Sequence, residues 1–272
     1  CLVVDLDNTL WHGVLGEDGP WGVRVGTDDG IAEAHLDLQR RIFAIKQRGV
    51  LIAACSKNNR ADVEEVFRLR PEMPLRLDDF VCMELDWGMK HEGLQRIAAH
   101  LNIGTESLAF LDDNAAEIEL IRRMMPEVEC VHAPSDPALL PLCLDRVHSL
   151  DRTVVTAEDL DKTRQYQQNT IRDSARREFA SLRDYLQSLE TRIEIRVATH
   201  GLLARVHQLF SKTNQFNLTT RRYTLAELAE SANDGTSRLI VVRAADRFGD
   251  LGWIGALLLR NLGAPPTQIE NF

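Results

Sequence analysis

The chain has 272 residues, of which 44% are hydrophobic and 6% aromatic, which suffices for one large core or two modest ones. Its formal net charge of -9 argues against nucleic acid as the main partner, because a phosphate backbone favours clustered Lys and Arg. Its apolar runs are too short to cross a membrane, and its five cysteines lack regular spacing, so we expect a cytoplasmic protein with free thiols and no membrane partner.

The opening stretch predicts a buried strand that ends in a charged loop. Apolar residues lead directly into the sequence DLDNT over 5–9. Ligands of open α/β sheets bind beyond the carboxyl ends of the strands, so Asp5 and Asp7 stand where chemistry is usual. The two carboxylates could share a divalent cation or divide nucleophile and acid–base roles. The structural alternative is a helix cap or turn formed by Asp-Asn-Thr.

Helices and strands then alternate along the first half of the chain. Glycines interrupt 10–26, which we interpret as a flap or hairpin over the site, and an amphipathic helix is predicted over 31–48. An apolar strand over 50–54 leads into CSKNN, and a helix over 61–70 follows. Strands over 80–84, 108–111 and 128–131 and a helix over 90–101 complete the pattern. This alternation predicts a Rossmann-like, doubly wound parallel sheet.

The predicted sheet brings polar residues from four segments to one edge. They are Asp5, Asp7, Ser56, Lys90, Asp112 and Asp113. Clustered carboxylates repel one another unless a cation is present, and hard oxygen ligands suit Mg²⁺. A hydroxyl and an ammonium add the donor and the positive charge that a phosphoryl group requires. The pattern therefore indicates phosphoryl transfer.

These motifs resemble the four motifs of the haloacid dehalogenase (HAD) superfamily of phosphotransferases. The resemblance implies that Asp5 is the nucleophile and Asp7 the general acid–base. It also implies two ligand sets, with Asn8, Thr9, Ser56, Lys57, Asn58 and Lys90 for substrate or phosphate and Asp5, Asp7, Asp112 and Asp113 for Mg²⁺. The segment between the first two motifs leaves no room for a large cap domain, so we expect an open site that can admit a large substrate.

A narrower resemblance, to the FkbH-like branch of the superfamily, covers nearly the whole chain. It rests on DLDNTLWHGVLGEDG, CSKNN, FLDDNAAE, KTNQFNLTTRRY and DRFGDLGWIG. It implies transfer of a glyceryl unit from 1,3-bisphosphoglycerate, with dephosphorylation, to the phosphopantetheine thiol of an acyl carrier protein in polyketide biosynthesis. The chain would then be part of a larger polyketide synthase or a stand-alone partner of one. The alternatives are a Mg²⁺-dependent small-molecule phosphatase and a non-catalytic carrier-docking module.

Transfer to a thiol carrier raises the question of a covalent thioester on the enzyme. Cys55 is the preferred candidate, because it lies at the functional edge next to Ser56. The alternative is a small buried hydrophobe, since side-chain alternation along a strand points Cys55 away from Ser56.

The second half predicts a smaller α/β domain over 151–272, after the phosphotransferase domain over 1–150. A long polar helical stretch over 158–189 comes first. A strand over 193–198, helices over 202–209 and 225–233, and strands over 239–244 and 251–259 follow. This half resembles the acetyltransferase-like half found in the same family. The polar run over 214–222 could hold phosphate or pantetheine oxygens, or could brace the domain interface.

Overall fold

The structure is a computed structural model that describes residues 1–151, 155, 157–212, 221–263 and 267–271. The chain divides into two compact units, Cys1–Gln167 and Gln168–Phe272. The proposed domain boundary after residue 150 stays a prediction. Among the described residues, no helix combines the length and the apolarity that a bilayer-spanning segment needs. All five cysteines are free thiols, as expected.

The first unit alternates strands with helices, as the sequence predicts. Its strands are β1 (Leu2–Val4), β2 (Ile52–Ser56), β3 (Phe80–Leu85), β4 (Ala109–Asp112) and β5 (Glu129–His132). Its longer helices are α1 (Leu15–Gly22), α2 (Gly30–Lys46), α3 (Arg60–Leu69), α4 (Lys90–Leu101) and α5 (Ala115–Met124). Single turns of 3₁₀-helix lie at Leu77–Asp79, Thr105–Ser107, Leu140–Leu142 and His148–Leu150.

The five strands form one parallel sheet in the order β3-β2-β1-β4-β5. Val4, at the end of β1, pairs with Ala54 on one side and Leu111 on the other. The strand order reverses between β1 and β4, because β2 and β3 extend the sheet in one direction and β5 extends it in the other. In a doubly wound sheet this reversal opens a crevice beyond the carboxyl ends of the two central strands. The arrangement confirms the predicted parallel sheet and is consistent with a Rossmann-like core.

Side-chain alternation divides the apolar residues of the strands between two cores. Leu2 and Val4 of β1 pack in a cluster that also takes residues of α2 and α3, whereas Val3 packs in a cluster with residues of α4 and α5. Helices therefore cover both faces of the sheet. Strands buried on both faces read as continuous apolar runs, which is why these strands are visible in the sequence.

The segment between β1 and α2, predicted as a flap or a hairpin, does not form a regular two-stranded hairpin. It contains α1 and two isolated bridges, one joining Asp7 to Trp11 and one joining His12 to Arg24. The helical turns of α1 are interrupted at Gly19, which has a φ of 72° and is followed by Pro20. A left-handed glycine next to a proline ends regular helix, so the segment folds as a compact flap of short turns.

The second unit contains a four-stranded antiparallel sheet in the order β6-β7-β8-β9. Its strands are β6 (Arg192–Val197), β7 (Arg238–Asp246), β8 (Gly249–Arg260) and β9 (Gln268–Asn271). Helices α9 (Leu203–Lys212) and α10 (Leu225–Asn233) contribute to its apolar cluster, and a 3₁₀ turn lies at His200–Leu202. The acetyltransferase likeness of this unit stays a prediction. Most of the polar run over 214–222 lies outside the described residues.

The predicted helical stretch over 158–189 is interrupted. It forms α6 (Ala157–Leu160), α7 (Lys162–Arg177) and α8 (Leu182–Ser188). Helix α8 begins at its own cap, because the Ser181 hydroxyl accepts hydrogen bonds from the backbone N–H groups of Arg183 and Asp184. A serine cap starts a new helix where a charge pattern alone suggests continuation.

Candidate metal and phosphate site

Three carboxylates converge at the crevice between β1 and β4. Asp5 follows β1, and its backbone N–H donates to the carbonyl of Leu111 at 2.9 Å, while Asp112 ends β4. Carboxylate oxygens of Asp5, Asp112 and Asp113 all lie within 4.8 Å of one another. Asp5 is 4% exposed and Asp112 is fully buried. The fold thus concentrates negative charge at the place where ligands of such sheets bind.

Lys90 is a buried cation in this cluster. Its Nζ lies 2.8 Å from Oδ1 of Asp5 and 2.5 Å from Oδ2 of Asp112. The two carboxylates raise the pKa of Lys90 despite its burial, so the ammonium stays charged. Lys90 is the first residue of α4, where the helix dipole disfavours a cation. Its position is therefore explained by the carboxylates and not by helix propensity.

One ammonium does not balance three carboxylates. Burial and the neighbouring charge of Asp5 raise the pKa of Asp112 to about 6, although Lys90 opposes the shift. The same two causes raise the pKa of Asp113. Clustered, partly desolvated oxygen ligands with excess negative charge fit a hard divalent cation such as Mg²⁺.

Asp7 lies apart from the three clustered carboxylates and is held by the flap. Its Oδ1 accepts hydrogen bonds from Nε1 of Trp11 at 2.9 Å and from the backbone N–H of Leu15 at 3.1 Å. Burial raises the pKa of Asp7, and these hydrogen bonds oppose the rise. A raised pKa suits a residue that must carry a proton for part of a reaction. Its predicted role as a metal ligand stays a prediction.

Asn58 connects Asp7 with Ser56. Its Nδ2 donates to Oδ2 of Asp7 and to Oγ of Ser56, both at 3.1 Å. Ser56 and Asn58 are each 3% exposed. Because Oγ of Ser56 accepts this hydrogen bond, its own proton is left for an acceptor in the cleft, such as a phosphate oxygen.

Seven of the predicted site residues line an open cleft of about 260 Å³, whereas Asn58 and Asp112 are not among its lining residues. It is lined by Asp5, Asp7, Asn8, Ser56, Lys57, Lys90, Asp113, Asn114 and Glu117. Lys57 pairs with Glu117 at 2.6 Å and remains 39% exposed, so its ammonium borders the cleft. Thr9 is fully buried and is not brought to the cleft, unlike Asn8.

Two lining residues, Asn114 and Glu117, are absent from the predicted set. The side chain of Asn114 accepts a hydrogen bond from the backbone N–H of Ala116 and caps α5. Glu117 stands three residues later, in the first turn of the helix. A capping residue followed three positions later by Glu is a recognisable helix start, and this signal could have placed both side chains beside Asp113.

The prediction that Cys55 is a catalytic thiol is corrected by the structure. Cys55 is 4% exposed and packs in the apolar cluster formed with α4 and α5, not in the cleft. Its Sγ lies 3.8 Å from the carbonyl oxygen of Lys90, and burial raises the pKa of the thiol to about 12. A thiol that remains protonated and faces a closed core is a packing residue.

Comparison with known proteins finds similarity to a solved structure. No family model matches the sequence, and no curated protein does. A solved structure that is similar is the crystal structure of the N-terminal part of the protein BF1531 from Bacteroides fragilis, which contains a phosphatase domain complexed with Mg. The similarity has 40% sequence identity and a TM-score of 0.51, and it covers 56% of this chain. The chain spans 39% of the length of that one.

The similarity is consistent with the fold and the chemistry expected for the HAD superfamily. The match covers 56% of the present chain. The parallel sheet and the carboxylate cluster, which are the features expected of such a phosphatase domain, both lie in the first unit. The finer resemblance to the FkbH-like branch is not addressed by this neighbour.

Proposed function

We propose that this chain is a Mg²⁺-dependent phosphatase of the HAD type that removes a phosphoryl group from an organic phosphate. The proposal depends on one observation above all, the convergence of Asp5, Asp112 and Asp113 around the ammonium of Lys90 at the reversal of strand order. Similarity at 40% identity to a phosphatase domain complexed with Mg supports both the activity and the cation.

Asp5 is the proposed nucleophile. Its carboxylate oxygen forms a bond to phosphorus while the bond from phosphorus to the leaving oxygen breaks, which gives an aspartyl phosphate. Lys90 orients Asp5 through the ion pair between them, and the hydroxyl of Ser56 donates to a phosphate oxygen. When bound by Asp5, Asp112 and Asp113, Mg²⁺ supplies positive charge that offsets the charge of the phosphoryl group.

Asp7 is the proposed general acid and base. In its protonated form it donates a proton to the oxygen of the leaving alcohol, and the resulting carboxylate then accepts a proton from the water that hydrolyses the aspartyl phosphate. Its raised pKa favours the protonated form at the start of this sequence. Asn58 and Trp11 keep the carboxyl group in place through both steps.

We further propose that the natural reaction is the finer one implied by the sequence resemblance. A glyceryl unit would pass from 1,3-bisphosphoglycerate to the phosphopantetheine thiol of an acyl carrier protein, with loss of the remaining phosphate at the Asp5 site. Because Cys55 is a packing residue, the carrier thiolate would attack the acyl carbon directly, forming the C–S bond as the C–O bond to phosphate breaks and phosphate leaves. The open cleft and the FkbH-like motifs support this proposal.

The proposal is tested by phosphate release from 1,3-bisphosphoglycerate, with and without an acyl carrier protein. Release of the ester phosphate that requires Mg²⁺, is lost in Asp5→Asn and persists in the exposed control Asp28→Asn would support the phosphatase. Release of the ester phosphate that survives EDTA or Asp5→Asn would contradict it, whereas release of the acyl phosphate tests neither requirement, because the carrier thiolate or water displaces it without Asp5. Mass spectrometry of the carrier separates the alternatives, because a glyceryl adduct supports the transferase, whereas carrier binding without any turnover indicates a docking module.

A further inference from the structure

A second cavity of about 340 Å³ lies beside the cleft in the first unit. The two share Asn8 and Asp113 as lining residues, so a molecule bound by its phosphate in the cleft can extend into the cavity. The cavity wall includes apolar side chains and three imidazoles, those of His12, His35 and His132. Its size is at the lower end of the range for small-molecule pockets.

His35 presents a fixed hydrogen-bond acceptor. The ring is 4% exposed, and its Nδ1 lies 2.8 Å from the backbone carbonyl oxygen of Thr9. A carbonyl can only accept, so Nδ1 carries the proton of the neutral ring and Nε2 keeps its lone pair. Burial lowers the pKa of His35 to about 4, which keeps the ring neutral near pH 7. Within the described residues, Nε2 has no hydrogen-bond partner.

His132 is oriented in the same manner from another side of the cavity. Its Nε2 lies 2.9 Å from the backbone carbonyl oxygen of Asp113, so in the neutral ring Nδ1 is the acceptor. The His12 ring lies 5.9 Å from that of His35, between ring centroids. Two imidazoles from separate segments are therefore oriented by backbone carbonyls.

The charges of the cavity limit what it can bind. Its lining contains no Lys or Arg, and the carboxylate of Asp113 stands at the boundary with the cleft. A second anionic group would thus meet a carboxylate without a compensating cation. A hydroxyl group, in contrast, donates a hydrogen bond to an imidazole nitrogen, and Nε2 of His35 is available because it is not among the buried atoms closed off from solvent.

We propose that this cavity binds the organic part of the phosphate ester and selects an uncharged group with a hydroxyl that donates to Nε2 of His35. The inference rests on the proposed phosphatase function, because the phosphate is taken to lie in the cleft. For the glyceryl reaction it implies that the acyl phosphate leaves before the ester phosphate is removed at Asp5, since the remaining organic part is then uncharged.

A matched pair of substrates tests the selection. Glycerol 3-phosphate and propyl phosphate have the same three-carbon chain and differ in their hydroxyl groups. We expect kcat/KM to favour glycerol 3-phosphate by about tenfold or more, because bound propyl phosphate shields Nε2 of His35 from water without offering it a donor. 3-Phosphoglycerate, which carries an added carboxylate, is expected to be a poorer substrate than glycerol 3-phosphate.

His35→Asn is the informative variant. The amide nitrogen of Asn can replace Nδ1 as donor to the Thr9 carbonyl, but nothing replaces Nε2. We expect the kcat/KM ratio of the two esters to fall to within about twofold in this variant and to persist in the control His148→Asn, whose histidine is exposed. His35→Gln, which also keeps an amide donor but lacks Nε2, provides a second variant that should lower the ratio if His35→Asn does not fold.

Binding to Asp5→Asn separates this inference from the proposed function. With Mg²⁺ present, calorimetry measures the Kd of each ester without turnover. A Kd ratio near one, or a ratio unchanged in the folded histidine variants, overturns the hydroxyl selection. A Kd ratio of about tenfold together with no phosphate release from either ester by the wild type overturns the phosphatase and leaves the cavity assignment supported.

Discussion

The Nζ of Lys90 lies 2.8 Å from Oδ1 of Asp5, with both side chains buried at the end of the central strand. Replacing Lys90 with Met leaves buried carboxylates without their cation, so we expect the free energy of unfolding to fall by about 3–5 kcal/mol in the absence of metal. Mg²⁺ should restore part of this loss. Urea unfolding with Mg²⁺ or EDTA measures both effects.

Lys57→Met is the matched control for that experiment. Lys57 also pairs with a carboxylate, Glu117 at 2.6 Å, but its side chain is 39% exposed. A partly exposed pair contributes about 1 kcal/mol or less, so this variant should unfold nearly as the wild type does. Equal losses in the two variants would contradict the assignment of Lys90 as the buried counter-charge.

The role of Asp7 predicts a dependence on the leaving group. Asp7→Asn cannot donate a proton, so release of the alcohol from alkyl phosphates should slow by about 10²–10⁴. For p-nitrophenyl phosphate, whose leaving group needs little protonation, this first step should slow much less, although the later hydrolysis of the aspartyl phosphate loses its base with either substrate. Pre-steady-state measurements of alcohol and nitrophenol release separate the two steps. An equal slowing of the first step for both substrates would mean that Asp7 acts through the structure of the flap, where it binds Trp11 and Leu15.

Protons and a divalent cation should compete for the carboxylate cluster. The fold raises the pKa of Asp112 from the ordinary value of 3.8 to about 6, so the folded state binds this proton more tightly than the unfolded state does. Without metal, the contribution of Asp112 to stability is therefore greatest below pH 3.8 and falls as the pH rises to about 6.

The increase in Tm produced by Mg²⁺ should accordingly be larger at about pH 7.5 than at about pH 5, because the protons have left the cluster at the higher pH. Differential scanning calorimetry at the two pH values measures it. Asp112→Asn should reduce the increase and its dependence on pH. An increase that is the same at both pH values would indicate cation binding elsewhere.

Cys55 and Gly93 should be coupled in stability. A Cβ added to Gly93 would lie 2.7 Å from Sγ of Cys55, so Gly93→Ala should destabilise the wild type by about 1–3 kcal/mol through overpacking. In a Cys55→Ala background the contact disappears and the gain in helix propensity, about 1 kcal/mol, should remain. A double-mutant cycle by urea unfolding measures the coupling, and additive effects would contradict it.

Phosphatase activity gives the second readout of the cycle. Cys55→Ala alone should retain it, since the thiol lies in the apolar cluster and outside the cleft. Loss of turnover in a folded Cys55→Ala protein would restore the catalytic interpretation of this residue.

The sequence predicts the sheet and the carboxylate cluster because both depend on local patterns. Apolar runs identify the strands, and the carboxyl ends of parallel strands share one edge, which brings Asp5 and Asp112 together. The predicted start of α4 at Lys90 is confirmed as well. The sequence left open whether 10–26 forms a flap or a hairpin, because glycines permit many backbone conformations and the choice depends on tertiary contacts such as those of Asp7.

The histidine cavity could not be predicted from spacing. His12 belongs to the flap, His35 to α2 and His132 to β5, and no sequence period relates the three. Only the folded sheet brings them together. For Cys55 the sequence does contain the answer. Side-chain alternation along β2 predicts that Cys55 faces the apolar cluster, as observed, whereas its position next to Ser56 in the sequence suggests that it faces the cleft.

Strand β2 carries a packing residue and a phosphate-facing residue at consecutive positions. Cys55 fills the apolar cluster while the next residue, Ser56, borders the cleft. A deletion of one residue upstream within this strand would move Cys55 to the buried position of Ala54, the hydroxyl of Ser56 to the apolar position of Cys55, and the ammonium of Lys57 to the cleft position of Ser56. A change in the length of this strand would therefore bury a hydroxyl in an apolar core and alter the phosphate site in the same step, whereas a point substitution affects one environment alone.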